Sequence, residues 1–232
     1  MPSSFDLLPL EGADIARAYT ARKLLWAQRT RPFEIPDKPL FDERGLDYFL
    51  NRVQSSRTYL EYGSGGSTRV AAQHVETLVT VESNRHYLKS VRQVLPANIQ
   101  QRRELIHADI GWTEEWGVPV FRKLTPRRAR RWASYSAAPW SRFEQWALDP
   151  DLILVDGRFR VACVLESVGR LRNRRACTIL LDDYGPRRHY RTVEAFCDVI
   201  AMEGRMAVLC AKEKVDGGEL EQRLREARRD FR

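Results

Sequence analysis

The chain has 232 residues, 43% of them apolar and 30% charged, proportions ordinary for a soluble globular protein that argue against disorder over the bulk of the chain and suit one domain with extensions, or at most two small ones. Its 39 Lys and Arg against 31 Asp and Glu leave a formal charge of +8, which points to an anionic partner (a phosphorylated or carboxylated small molecule, nucleic acid or a membrane surface) or else to a merely basic solvated surface. No apolar run approaches the ~18 residues of a membrane-spanning helix, and the opening MPSSFDLLPLEGADIARAY lacks a basic start followed by a long apolar run, so no signal peptide and a cytoplasmic location are expected.

In chain order, residues 11–29 predict a helix, with Ile15, Ala18, Tyr19, Leu25 and Trp26 at helical spacing. Pro32, Pro36 and Pro39 break it, and a second helix is expected over 42–54 with Leu46, Phe49 and Leu50 on one face. Residues 1–55 thus read as a helical extension to a main domain over 56–232. From residue 57 the pattern alternates. Strands are expected over 57–62, 77–82, 103–107, 151–156, 177–182 and 206–211, and helices over 67–75, 84–95, 159–171, 188–203 and 217–231. Apolar runs bounded by Asp, DLILVD and CTILLD, suit strands buried on both faces. The alternation predicts an α/β fold with a doubly wound, mostly parallel sheet.

Residues 110–150 interrupt this rhythm. They hold Trp112, Trp116, Trp132, Trp140 and Trp146, five of the six tryptophans, and the basic stretch FRKLTPRRARR at 121–131. An insertion of this length is either functional or disordered, and its aromatics argue against disorder. The tryptophans either form a lid over a site or pack the insertion onto the domain. Cys163, Cys177, Cys197 and Cys210 form no C-x-x-C pair, so reduced, buried thiols are expected rather than a zinc ribbon or a disulfide scaffold.

The strongest local signal is YLEYGSGGSTRVAA at 59–72. A strand ends at Tyr62, glycines crowd the turn, and a helix starts near Ser67. Gly63 and Gly65 allow positive φ and leave no Cβ between backbone and ligand. Ser67 or Thr68 can cap the helix, whose first N–H groups face a polar or anionic ligand. Glu82 closes the second strand about twenty residues on, where a carboxylate bonds ribose hydroxyls in nucleotide-binding folds. Its alternative is a solvated strand-end charge. Thr68 stands at the third glycine position of a dinucleotide motif, which disfavours a nicotinamide cofactor.

The segment EYGSGGS resembles motif I of class I S-adenosylmethionine-dependent methyltransferases, with Ser67 where a glycine is common. VESN at 81–84, HAD at 107–109 and DLILVDG at 151–157 resemble the motifs of that family's second, third and fourth strands. The likeness spans about 57–211 and implies a Rossmann-like methyltransferase fold binding S-adenosylmethionine. Gly63, Ser64 and Gly65 would approach its methionine part, with Ser67 and Thr68 beside them. Glu61 would sit near its amino group, Glu82 and Ser83 at the ribose, Asp109 at the adenine, and Asp156 at the crevice. Asp109 is equally suited to capping a turn. Family members end in an antiparallel strand pair, of which only 206–211 is legible.

Two strands end in carboxylates, LVDGRFR at 154–160 and LLDDYG at 180–185. In a parallel sheet both ends open onto the ligand crevice. Asp156, Asp182 and Asp183 suit Mg²⁺ or a similar hard cation, a layout resembling metal-dependent catechol-type O-methyltransferases. The alternatives are one of these acids as a metal-free general base, capping roles, or ion pairs to Arg158 or Arg160. Arg158 and Arg160, with Tyr184, are candidate ligands for an anionic substrate.

The function expected is an S-adenosylmethionine-dependent methyltransferase acting on a small or medium-sized anionic acceptor. The alternatives are an RNA or other nucleic-acid methyltransferase, which the charge and the Arg/Trp-rich insertion favour, and a methyltransferase-like binding protein without catalysis.

Overall fold

The computed structural model describes residues 12–97, 100–171 and 177–232. The opening residues on which the signal-peptide expectation rests, and the side chain of Leu25, lie outside the described residues.

Two helices lead in: α1 (Gly12–Thr30) and α2 (Glu43–Gln54). Asp42 caps α2 by accepting from Gly45 N at 2.9 Å, satisfying one of the orphan amides of a helix start. Phe49 and Val53 of α2 are fully buried beneath the main sheet. α1 lies against the domain through Gln28, which accepts from Asn84 Nδ2 at 2.9 Å, and through Arg17, whose Nε donates to Val120 O at 3.1 Å.

The remainder alternates as expected. β1 (Thr58–Tyr62), α3 (Gly66–Ala71), β2 (Thr77–Glu82), α4 (Arg85–Val94) and β3 (Arg102–His107) form the first half. A 3-10 turn at Glu115–Gly117, α5 (Pro126–Ala137) and α6 (Trp140–Trp146) follow. β4 (Leu152–Val155), α7 (Arg160–Arg170), β5 (Thr178–Leu181), β6 (Cys197–Glu203), β7 (Met206–Ala211) and α8 (Gly217–Ala227) complete the chain. The seven strands stand in the order β3-β2-β1-β4-β5-β7-β6, with β1 to β5 parallel and β7 antiparallel to both its neighbours. Strand periodicity divides the core between two faces. Ile153 and Val155 of β4 join the α5–α8 side, whereas Leu152 and Leu154 join the α2–α3 side.

Two expectations are corrected here. Residues 188–203 are not one helix: a 3-10 segment, Arg188–Ala195, gives way to β6. The terminal antiparallel pair is consequently present, with β6 as the second strand. Ala201, Met202 and Glu203 favour helix locally, but pairing with β7 supplies ladder hydrogen bonds that override the preference. Gly204, at φ +62, permits the tight turn between the two strands.

The 110–150 interval is ordered and supplies the helices that cover one sheet face between β3 and β4. Trp132 and Trp140 are buried, their indole N–H groups donating to Ile110 O at 3.2 Å and to Tyr62 Oη at 3.0 Å. Trp146 packs partly buried against the same core. Trp112 and Trp116 remain exposed. Packing thus explains three of these tryptophans, and two stay on the surface. Among the described residues all four cysteines are free thiols, Cys163, Cys177 and Cys197 buried and Cys210 half-buried.

Candidate functional site

The parallel strands present their C-terminal ends on one edge of the sheet: Gly63 after β1, Glu82 closing β2, Asp109 after β3, Asp156 after β4 and Asp182 after β5. This is the edge where open α/β sheets take ligands.

The glycine loop is braced from below. Glu61 is fully buried, and its carboxylate accepts hydrogen bonds from Ser67, Thr68, Thr80 (3.0 Å) and Tyr59 (3.2 Å). Burial raises its pKa to about 7 against these hydroxyls, which favour the charged form. Thr68 Oγ1 also accepts from Gly65 N at 2.8 Å. Glu61, Ser67 and Thr68 therefore stand under the loop with their polar atoms bonded to one another, not facing a ligand, and an amide expected to be free at the start of α3 is taken. Gly63 adopts φ +98, and a Cβ there would come within 2.6 Å of the Gly157 backbone. Its glycine is demanded by the contact of two strand ends as much as by any ligand. Ser64 and Gly65 form the upper surface, and a Cβ on Gly65 would lie 3.1 Å from Tyr87 Oη.

Glu82 stands beside this loop. Its Oε1 accepts from Ser83 Oγ at 3.1 Å and Asn84 N at 2.8 Å, while Oε2 meets Ser64 Oγ at 3.5 Å. Burial raises its pKa, opposed by the Asn84 and Ser83 bonds. Oε2 keeps acceptor capacity for a diol. Asp109 is paired with Arg131 and caps the turn by accepting from Gly111 N at 3.1 Å, so its capping role is realised.

At the other side the three aspartates meet three arginines. Arg160 Nη2 lies 2.8 Å from Asp156 Oδ1, and Arg160 Nη1 lies 3.3 Å from Asp183 and 3.7 Å from Asp182. Arg205 forks Asp182 at 2.9 and 3.0 Å, and Arg187 reaches Asp183 at 3.0 Å. Three carboxylates facing three guanidinium groups leave no net negative charge to draw a divalent cation. Among the described residues no group of three or more His, Cys, Asp or Glu is arranged to hold a metal. The Mg²⁺ expectation at Asp156, Asp182 and Asp183 is corrected accordingly, and with it the ground for likeness to catechol-type enzymes. Asp156 differs from its neighbours: its side chain is 31% exposed, and Oδ2 carries no hydrogen bond among the described residues. Burial, with Asp182 and Asp183 nearby, raises its pKa to about 7 against the pull of Arg160.

Arg158 and Arg160 take opposite parts. Arg160 is a buried structural clamp, also donating to Asp182 O at 2.6 Å and Asp156 O at 3.1 Å, so its expected role toward substrate is withdrawn. Arg158 makes no ion pair among the described residues, and its buried Nε has no hydrogen-bond partner. Burial lowers its pKa, assisted by Arg160. Tyr184 is buried and donates to Glu194, which turns its hydroxyl away from the substrate role expected of it. The 3-10 turn spans the cleft: a Cβ on Gly117 would lie 2.7 Å from Ser83 Oγ and 3.5 Å from Arg158 Cγ.

Sequence reasoning missed Thr80, Arg187 and Arg205. Thr80, a polar residue inside the apolar run TLVTVE, was a visible signal, and Arg187 follows Asp183 by one helical turn's spacing. Arg205 reaches the site from a remote hairpin and leaves no local trace.

No family model matches the chain, and no curated protein is similar to it in sequence. The crystal structure of a methyltransferase-like protein (spo2022) from Silicibacter pomeroyi is similar at 30% identity over 84% of this chain and 100% of that one, with a TM-score of 0.67. The N-methyltransferase NodS from Bradyrhizobium japonicum, solved with S-adenosyl-L-homocysteine, matches at 11% identity over 82% of this chain and 96% of that one, with a TM-score of 0.44. An rRNA methylase from Streptococcus thermophilus matches at 11% identity over 76% and 100%, with a TM-score of 0.40. The latter two likenesses are too loose to bear on chemistry. With the strand order, the braced glycine loop, the acid closing β2 and the 30% identical relative taken together, the chain belongs to the class I S-adenosylmethionine-dependent methyltransferase superfamily.

Proposed function

We propose that the protein is an S-adenosylmethionine-dependent methyltransferase acting on an anionic acceptor. The observation that carries this reading is Arg158, a guanidinium just after β4 whose buried Nε has no hydrogen-bond partner and which forms no ion pair among the described residues. A half-buried guanidinium whose Nε is shut off from water without a hydrogen-bond partner is costly in a resting protein. It is retained where a ligand supplies the opposite charge.

The residues fit the cofactor. Glu82 Oε2, with only a long contact to Ser64, is available to the ribose diol. Ser64 and Gly65 offer backbone unshielded by a large side chain toward the amino-acid end, above the Glu61 brace. Asp109 and Arg131 border the adenine end. When bound, the cofactor supplies a methyl group already activated by its sulfonium. The protein then has to align the acceptor, exclude water and remove a proton. Arg158 draws in the acceptor's anionic group, and the turn at Glu115–Gly117 shields the crevice. Asp156 Oδ2 accepts the proton that the acceptor atom loses, its pKa of about 7 being suited to a base at neutral pH.

Calorimetric titration with S-adenosylhomocysteine tests the reading. Wild type gives heat of binding, and Glu82→Ala weakens it at least tenfold. No heat with folded wild-type protein would leave a methyltransferase-like fold serving as a binding partner without catalysis.

A further inference from the structure

The first turn of α4 carries a hydroxyl that neither the packing nor the proton transfer uses. Asn84 Oδ1 accepts from His86 N at 2.9 Å and from Tyr87 N at 3.1 Å, and Asn84 N donates to Glu82 Oε1 at 2.8 Å, so Tyr87 is tied through one residue to the acid that closes β2. Its ring meets Phe33 edge to face with centroids 5.1 Å apart, and Phe33 N donates to Ser90 Oγ at 2.9 Å, one turn further along α4. Backbone and ring are thus both fixed. The Tyr87 hydroxyl, in contrast, has no hydrogen-bond partner among the described residues and is not sealed from water. It stands over the glycine loop. A Cβ on Gly65 would lie 3.1 Å from Tyr87 Oη, and beyond the chain neighbours no other described atom comes within 4 Å of that position.

Burial, then the charges of Glu82, Glu61 and Asp156, push the Tyr87 hydroxyl up to about 12. It is protonated at neutral pH and offers a donor. Beneath the loop the polar groups are already engaged: Glu61 takes the hydroxyls of Ser67 and Thr68, and Thr68 Oγ1 takes the Gly65 amide. A zwitterion laid on this loop turns its ammonium group toward the acids, and its carboxylate then needs a donor other than the Gly65 amide. We propose that Tyr87 makes the site select a nucleoside with an amino-acid tail, Oη donating to the carboxylate of that tail. This rests on the cofactor reading and adds to it a specificity-determining residue. The free hydroxyl on the open side of the loop is the group that distinguishes the full cofactor from nucleosides that lack the carboxylate.

The test is calorimetry of the full chain with two probes, S-adenosylhomocysteine and its decarboxylated analogue, which keeps the ammonium group and loses the carboxylate. Tyr87→Phe keeps the ring against Phe33 and removes one oxygen. The variant should bind S-adenosylhomocysteine about tenfold more weakly, as expected for a lost hydrogen bond to a charged group. It should bind the decarboxylated analogue as wild type does. Its melting temperature without ligand should equal that of wild type, because Oη has no bond to lose. The proposal is overturned if Tyr87→Phe binds S-adenosylhomocysteine as wild type does, or if both probes weaken alike, which would put the effect of the hydroxyl on the ribose or on the shape of the loop. A lowered melting temperature of the free variant would make the hydroxyl structural and overturn it as well. The two readings stay apart in the same titrations. Heat with wild type and an unaffected Tyr87→Phe removes the Tyr87 assignment and leaves the cofactor site standing, whereas no heat with folded wild type removes both.

Discussion

Arg205 grips Asp182 with two parallel hydrogen bonds, Nε to Oδ1 at 2.9 Å and Nη2 to Oδ2 at 3.0 Å, although one residue lies in the β6–β7 turn and the other after β5. The same guanidinium donates to Leu40 O at 2.7 Å, and the Arg205 amide donates to Asp42 Oδ2 at 2.7 Å. One side chain thus ties the segment before α2 to the far edge of the sheet and neutralises a carboxylate with almost no access to water. Removing one partner of a buried pair costs about 3–5 kcal/mol, and Arg160, 3.7 Å from Asp182, softens the loss. Arg205→Met is expected to lower stability by about 3 kcal/mol in urea unfolding. Arg205→Met/Asp182→Leu, which leaves no orphaned charge, should recover a large part of it. No recovery in the double variant would show that the Leu40 and Asp42 contacts, not the ion pair, stabilise this corner.

The charge balance at Asp156, Asp182 and Asp183 also bears on metals. Each acid already has an arginine within 3.0 Å. Thermal scans with added MgCl₂ and with chelator should give the same melting temperature. Stabilisation by Mg²⁺ that disappears in Asp182→Asn would restore a metal to this site.

Arg158 offers a separation of stability from function. It has a buried, unpartnered Nε and no ion pair to lose. Arg158→Met should therefore leave stability unchanged or raise it by about 1 kcal/mol, through relief of a desolvated polar group. In single-turnover assays with any acceptor found, the same variant should lose at least tenfold in affinity for the acceptor while its S-adenosylhomocysteine binding is retained. A variant that unfolds more readily would mean that the guanidinium is structural.

Glu61 should leave a signature in stability against pH. Its folded pKa is about 7 and its ordinary value 4.5, so the folded state holds a proton that the unfolded state has released between those limits. Stability from this group is present below about 4.5 and is lost as pH rises through about 7. Glu61→Gln, neutral throughout, should flatten that decline, read as the difference between urea midpoints near pH 5 and near pH 8. Glu61→Ala orphans the hydroxyls of Ser67, Thr68 and Thr80 and should cost about 2–4 kcal/mol at either pH. Superimposable profiles for wild type and Glu61→Gln would show that Glu61 does not titrate in this window.

Most of the sheet was legible from the chain itself, for a physical reason. A parallel strand buried on both faces has to be an uninterrupted apolar run, as LILV and TILL are, and a glycine turn with a carboxylate twenty residues on is a local pattern tied to a local constraint. Composition, the β-α alternation, the glycine loop and Glu82 at its strand end therefore needed no coordinates. Pairing and charge compensation depend on contacts between residues far apart in sequence, and these only the folded structure decided. β6 became a strand because β7 lay beside it, and the three aspartates became ion-pair partners because Arg160, Arg187 and Arg205 converged on them. In the same way α1 and α4 bring Arg22, Arg29 and Arg85 to one side of the adenine end although more than fifty residues separate the first from the last. Side-chain identity is written locally, whereas the field around a side chain is a sum over everything the fold brings near it.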